Sequence, residues 1–394
     1  MREPMNEKAY DWSLLEAAAH DPVYVTTNEE LAAYCDHWLS LPMIALDTEF
    51  QRVDTFYPIP GLIQIADDQR CYLIDPLEVT DFEPLVNVFN KPDLLKIIHA
   101  GSEDLELFNH TLGALPSPIF DTQLAAAFAG WGFTMGLLRL VEHALGVQLG
   151  KGETTSDWLR RPLSRDQEVY AALDVAYLPA ICQQLTTILL EKGSLDWLMS
   201  ESIDVLDNVI DKDPEGHVYY QRFSQVWGLP PHKLAGLRDL TSWREQQSRK
   251  RNVPRNRILR NQTLITLIER WPRNSLELSR VPDMRSKIIR EDGDTILEIL
   301  ANAKDSAEKN PAEPINRPLP IIWNSRLKKL KAISRSVAQK RGIAPEILLR
   351  KKDLDALVRS KELTGEYQLP PALCGWRREL IGDALLAQLK QFEQ

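Results

Sequence analysis

The chain of 394 residues carries 47 basic and 56 acidic side chains, a formal net charge of −9 and 44% hydrophobic residues. That length exceeds one ordinary core and predicts two or three domains, and the composition excludes collagen-like, disulfide-stapled and largely disordered classes. No uninterrupted apolar run reaches the roughly 18 residues of a membrane span, and Met1-Arg2-Glu3-Pro4-Met5-Asn6-Glu7 opens no apolar segment. Neither a membrane partner nor a secretory signal is expected. Cys35, Cys71, Cys182 and Cys374 are scattered and form no CxxC pair. They read as buried thiols of a cytoplasmic protein rather than as a zinc site.

The net charge hides an asymmetry. Residues 1–213 hold 13 basic against 35 acidic side chains, a net −22, while residues 214–394 hold 34 against 21, a net +13. A basic half suits a polyanion such as nucleic acid, although a solvated basic helix face gives the same count.

In chain order, Met43-Ile44-Ala45-Leu46 is a short apolar run ending at Asp47. Leu62–Ala66 and Cys71–Ile74, separated by Asp67-Asp68-Gln69-Arg70, predict an antiparallel hairpin, and Leu94–Ile98 predicts a further strand. Helical patterns follow at Asp104–Asn109, Thr122–Phe128, Leu137–Leu145 and Arg165–Leu190. Strands mixed with helices and an early hairpin predict an α/β layer fold with a mixed sheet over residues 1–213.

From residue 214 the strand signals vanish and helical periodicity dominates. Residues 309–320 are rich in proline and predict a stiff linker between a helical domain over 214–308 and another over 321–394. A shift of 90 positions superposes the two: Leu237 on Leu327, Leu240 on Leu330, Lys250-Arg251 on Lys340-Arg341, Leu259-Arg260 on Leu349-Arg350, Leu264 on Leu354 and Leu267 on Leu357. Val253 falls on Ile343, and Gly293 aligns with Gly382 after a one-residue slip, each followed by Asp. So many identities in one register predict an internal duplication, with the leucines as core and the Lys-Arg and Arg sets as repeated surface chemistry.

Three short motifs carry candidate chemistry. Asp47-Thr48-Glu49-Phe50 ends a strand, and residues i and i+2 share a face, so two carboxylates stand side by side. They would repel unless a divalent oxygen-loving cation sat between them; a solvated strand end is the plainer reading. In His99-Ala100-Gly101-Ser102-Glu103-Asp104 a buried strand turns into a helix. Helix capping accounts for Ser102 and Glu103 and leaves Asp104 free to face the strand ends. Tyr170-Ala171-Ala172-Leu173-Asp174 sets a phenol and a carboxylate on one helix face. An Asp in so apolar a helix is costly unless paired or metal-bound.

The three motifs in this order resemble the catalytic set of the DEDD 3′–5′ exonucleases, of the kind with Tyr in the third motif, and most closely the ribonuclease D family. The stretch Ser156–Leu163 is similar to the same family, and the repeated basic modules resemble its HRDC domains. The resemblance implies a ribonuclease H-like mixed-sheet exonuclease domain followed by two all-α HRDC-type domains. It implies that Asp47, Glu49, Asp104 and Asp174 bind two divalent ions, magnesium or manganese, and that Tyr170 orients the attacking water. It further implies a 3′–5′ exoribonuclease that releases nucleoside 5′-monophosphates, acting on RNA with a free 3′ end such as transfer-RNA precursors, as a monomer. Phe50 is a candidate for stacking on the terminal base and Gln64 for bonding substrate; each is equally readable as part of the sheet. Lys250, Arg251, Arg260, Lys340, Arg341 and Arg350 are candidate RNA contacts, or partners of acids within their own modules. His99 reads as a structural histidine. Gly150-Lys151-Gly152-Glu153 is too short for a phosphate-binding P-loop and reads as a loop beside the site, and with no P-loop elsewhere no nucleotide cofactor is expected. Two other readings stay open: a DNA 3′–5′ exonuclease with the same carboxylates, and a non-catalytic RNA-binding scaffold.

Overall fold

The apolar runs of the first half form one six-stranded sheet in a computed structural model that describes residues 10–150 and 156–393. The strands are β1 (Val23–Val25), β2 (Met43–Gln51), β3 (Ile59–Ala66), β4 (Cys71–Ile74), β5 (Leu95–Ile98) and β6 (Ile119–Asp121), in the order β1-β4-β3-β2-β5-β6. β3 and β4 pair antiparallel, while β1 with β4, β2 with β5 and β5 with β6 pair parallel. The expected hairpin is β3–β4. Its turn is closed by the Asp67 carboxylate, which accepts the Gln69 and Arg70 amides at 2.7 Å each. The short edge strands β1 and β6 gave too weak an alternation to be expected from the sequence.

Both faces of the sheet are covered. The period of two sends Met43 and Ala45 of β2 to one face, with Leu62 and Ala66 of β3, beneath the helices Thr122–Ala129, Arg165–Ala176 and Leu178–Glu191. It sends Ile44 and Leu46 to the other, with Ile63 and Ile65, beneath Asn28–Trp38, Glu83–Phe89 and Ser102–Leu112. The long helix expected over Arg165–Leu190 divides at Tyr177, because Pro179 lies in the first turn of the second half. By length and composition alone Arg165–Glu191 would pass for a membrane span, yet 56% of its apolar window is buried inside the protein, as in a core helix. Cys35, Cys71 and Cys182 are buried; Cys374, expected to be buried, is exposed.

The chain divides into two compact units. One contains the chain up to Gln51, Pro60–Ile210 and the chain from Pro320 onward; the other contains Arg52–Ile59 and Asp211–Leu319. The second unit is helical, with Leu237, Leu240, Leu264, Leu267, Leu278, Ile296 and Leu300 in its core. The proline-rich stretch is not a free linker. Ile315 is buried in that core, the Tyr220 hydroxyl donates to the Glu313 carbonyl at 2.9 Å, and the Arg317 guanidinium lies 5.5 Å from the Trp227 ring centroid.

Helices recur in the same order at about the 90-residue spacing. Pro231–Lys250, Arg255–Ile258 and Asn261–Arg270 have counterparts in Trp323–Arg341, Pro345–Leu348 and Lys351–Thr364. Arg260 and Arg350 occupy the same N-cap position. The second helical set packs on the sheet domain: Ala344 and Ile347 enter its core, and Trp376 stacks on Trp197 with centroids 4.9 Å apart. Buried Glu201 accepts Arg377 through both carboxylate oxygens, the Nη2 bond at 2.7 Å, and Arg350 at 3.0 Å. Gly130 is held at φ +84°, and a Cβ there would lie 2.2 Å from the Gly342 carbonyl oxygen, so this contact requires glycine.

Candidate active site

The alternation that buries Met43 and Ala45 continues into Asp47 and Glu49, which extend the same row of β2. That row faces the Arg165–Ala176 helix, whose apolar face buries Ala171, Ala172, Val175 and Ala176. Ser164 and Gln167 start this helix with a reciprocal capping box. It presents Tyr170 and Asp174 together, with the phenol hydrogen-bonded to the Asp174 carboxylate.

Asp104 arrives from the opposite layer, in the first turn of Ser102–Leu112. The turn before it is built for close approach. A Cβ on Gly101 would lie 2.7 Å from Ile98 Cδ1. The Asp121 carboxylate accepts the Ala100, Gln123 and Leu124 amides, which explains that buried acid as a cap. The Thr48 hydroxyl donates to Asp104. Thr48 was not among the expected site residues; a hydroxyl between the two carboxylates of Asp-Thr-Glu was the available signal.

The carboxylates act on one another. Burial, and then the charges of Asp104, Asp174 and Glu49, hold Asp47 well above the usual carboxylate range. Burial followed by Asp174 and Asp104 pushes Glu49 up to about 8. Burial raises Asp104 to about 6 against the Thr48 hydrogen bond, and Asp174 to about 7 against the Tyr170 bond. Among the described residues no three His, Cys, Asp or Glu side chains form a tight metal-sized cluster. The donor set, all hard oxygen and all destabilised as anions, fits divalent cations of the magnesium kind.

Two neighbours hold the site in place. Arg161 donates to Gly61 O and to Asp75 Oδ1 at 2.7 Å each and to Trp158 O at 2.9 Å, clamping the Ser156–Leu163 stretch to β3 and β4. Burial would raise Asp75, but bonds from Arg161 and Tyr24 keep it below its usual range. A Cβ on Gly61 would lie 2.8 Å from Trp158 Cβ, 2.9 Å from Trp158 O and 3.1 Å from Glu49 O. Gly61→Ala must therefore displace backbone beside Glu49. A fall in turnover of about 10- to 100-fold is expected, from misplacement on the order of an ångström. Oligonucleotide hydrolysis and circular dichroism of the variant check this: wild-type turnover would refute it.

The expected substrate residues fare unevenly. Phe50 is half-buried and packs with the core of the opposite face, away from the Asp47–Glu49 row, so its contacts are those of a packing residue. Gln64 is fully buried with neither amide atom hydrogen-bonded, so it lines no open surface. His99 bonds Thr122 through Nδ1 at 2.9 Å, and burial lowers it to about 4, which makes it a neutral structural residue. Lys151, Gly152 and Glu153 lie outside the described residues, as do Met1–Glu7. Of the basic set, Arg251 is engaged by Asp292 at 2.9 Å and Arg350 by Glu201 at 3.0 Å, so neither is a free cation. Arg260 stands 3.8 Å from Asp283, and Arg341 lies 6.0 Å from the Trp197 ring centroid. Lys250 and Lys340 are exposed. Spacing had no means of finding the cleft of about 250 Å³ lined by Lys331, Arg335, Arg350 and Lys351 together with Glu346. It forms only when the Trp323–Arg341 helix meets the start of Lys351–Thr364.

Comparison with known proteins accords with this geometry. Residues 22–190 match a 3′-5′ exonuclease family, and residues 233–300 match the HRDC domain. Ribonuclease D of Pseudomonas paraeruginosa is 42% identical over 93% of this chain and 97% of its own length. Ribonuclease D of Escherichia coli is 33% identical over 94% and 99%. The crystal structure of Escherichia coli RNase D, described as an exoribonuclease involved in structured RNA processing, superposes with a TM-score of 0.87 over 95% of this chain and all of that one. A mixed-sheet nuclease domain, an HRDC domain and full-length similarity to these enzymes make the chain a member of the ribonuclease D family, a 3′–5′ exoribonuclease.

Proposed function

We propose that the enzyme hydrolyses the terminal phosphodiester of RNA at Asp47, Glu49, Asp104 and Asp174, with two divalent ions, and that its substrates are transfer-RNA precursors and other structured RNAs with a free 3′ end. The observation that carries this reading is the burial of the four carboxylates, which raises each of them as an acid before any neighbouring charge adds to it, a cost that bound cations would relieve. Ions held there would neutralise the carboxylates and supply Lewis acidity to the scissile phosphate. Thr48 keeps Asp104 in place by its hydrogen bond. Asp174 holds the Tyr170 phenol, whose ring lies 6.1 Å from that of Trp158. The phenol orients water for in-line attack on phosphorus. The phosphorus–3′-oxygen bond then breaks and the released nucleotide carries the 5′-phosphate.

We read the matched helices after Pro320 as a second HRDC-type domain, on the strength of the 90-residue register. We assign RNA contact to the Lys331, Arg335 and Lys351 cleft together with Lys250 and Lys340, and take the chain to act as a monomer. Matched RNA and DNA oligonucleotides and an unprocessed transfer-RNA precursor, each with magnesium or manganese, test the reading. Nucleoside 5′-monophosphates from RNA in preference to DNA support it; equal DNA hydrolysis or a 3′-phosphate product would overturn it. Tyr170→Phe is expected to lower turnover about 10²- to 10⁴-fold, the range of a positioned proton-handling group. Calorimetric metal titration should match wild type, and a clear loss of bound metal would make Tyr170 structural.

A further inference from the structure

The chain leaves the sheet at Gln51, contributes Arg52–Ile59 to the helical unit, and returns to the sheet in β3. Glu49 stands three residues before Arg52, about 10 Å of extended chain. The excursion is gripped by the HRDC domain. Phe56 is buried against two guanidiniums, those of Arg249 and Arg255, each 4.7 Å from its ring centroid. Buried Glu245 fixes both cations, accepting Arg249 Nη2 at 2.9 Å and Arg255 Nη2 at 2.6 Å. Asn252 Oδ1 accepts the Phe56 amide at 3.0 Å and the Tyr57 amide at 3.1 Å. Asn252 sits at φ +48°, a left-handed conformation that Asn tolerates better than most residues. Arg257 closes the grip on Asp54.

We propose that Asn252 and Phe56 are positioning residues for hydrolysis: by holding the β2–β3 strap, the HRDC domain fixes the end of β2 and with it the Glu49 carboxylate. The HRDC domain thus contributes to the chemical step as well as to RNA contact. The inference rests on Glu49 being a metal-binding residue. Two bonded amides and a ring packed on two cations over-determine an eight-residue connection that a plain hairpin loop would leave to solvent. Asp54 and Arg257 also line a cleft of about 560 Å³ with Arg251, Arg285 and Lys287, so RNA affinity has to be measured beside the rate to separate positioning from RNA recognition.

The test uses the full chain carrying Asn252→Ala, Asn252→Asp, Phe56→Leu or Glu49→Gln, acting on a short single-stranded RNA. Asn252→Ala and Phe56→Leu should lower kcat about three- to thirtyfold with little change in KM, and should raise the magnesium concentration needed for half-maximal rate. Asn252→Asp, which keeps the accepting oxygen, should restore both. RNA affinity of these variants, by gel shift with metal chelated, should stay within about twofold of wild type. If Phe56→Leu and Asn252→Ala leave kcat and the magnesium requirement unchanged while Glu49→Gln abolishes activity, the strap proposal fails. A parallel loss of RNA affinity that accounts for the rate would also overturn it. Should Glu49→Gln itself retain near-normal turnover, the assignment of Glu49 fails instead, independently of the strap.

Discussion

Asp47→Asn is expected to lower hydrolysis of an RNA 3′ end by more than about a thousandfold, about 4 kcal/mol of transition-state stabilisation. Glu49→Gln, Asp104→Asn and Asp174→Asn should behave alike, because each removes a carboxylate oxygen from the set proposed to hold the ions. The folded protein should survive, and with metal chelated it should become more stable. The sign follows from linkage. Asp47 has a folded pKa raised above its unfolded value, first by burial and then by Asp104, Asp174 and Glu49. Such an acid binds its proton more tightly folded than unfolded, so it erodes stability as pH rises from its unfolded pKa toward its folded one. Asparagine removes that loss. Thermal unfolding in chelator at pH 5 and pH 8 should show wild type losing more midpoint temperature over the interval than Asp47→Asn. Equal pH dependence would mean that Asp47 carries no such penalty. Near-normal turnover of Asp104→Asn would show that the second motif is misplaced.

The second large effect is structural. Glu201 is buried and holds both Arg350, at the N-cap of Lys351–Thr364, and Arg377, 27 positions further along the C-terminal helical set. Glu201→Ala leaves Arg377 buried without its carboxylate and should cost about 3–5 kcal/mol, the range for breaking a buried pair by removing one partner. Denaturant unfolding measures it, and a loss below about 1 kcal/mol would show that the pair is solvated. Deletion of the chain from about residue 214 is expected, for the same reason, to yield an aggregating fragment. From charge alone that fragment would be a soluble acidic domain that still degrades short RNA. The contacts reverse the expectation, because deletion uncovers the patch around Ala127, Phe128 and Trp197 that Ala344, Ile347 and Trp376 cover. A soluble, monodisperse fragment by size-exclusion chromatography would refute this. A deletion confined to Asp211–Leu319 would instead remove the strap's holder.

How much of this was legible in the sequence varies with the range of the interaction involved. The Asp67–Arg70 turn, the Leu137–Leu145 helix and the alternation that sends Asp47 and Glu49 to one face are local, and local backbone geometry decided them. The 90-residue register is likewise written in the chain, since equal cores demand equal leucine spacing. Function at the level of the family was legible because three short motifs, each weak, occurred in one order. The tertiary structure decided what depends on partners far along the chain. Thr48 bonds Asp104 across 56 positions, and Arg161 bonds Asp75 across 86. For Arg251 and Arg350 the sequence left RNA contact and pairing with an acid both open, and carboxylates 41 and 149 positions away take them up. Phe50 was readable either as a base-stacking or as a packing residue, and it packs into the core, because the period of two turns it from the carboxylate face. The proline-rich stretch looked like a spacer and docks, because Ile315 finds an apolar site. Periodicity and charge counts measure what a side chain is; which charge neutralises it, and which surface buries it, is settled by packing between segments that the sequence holds apart.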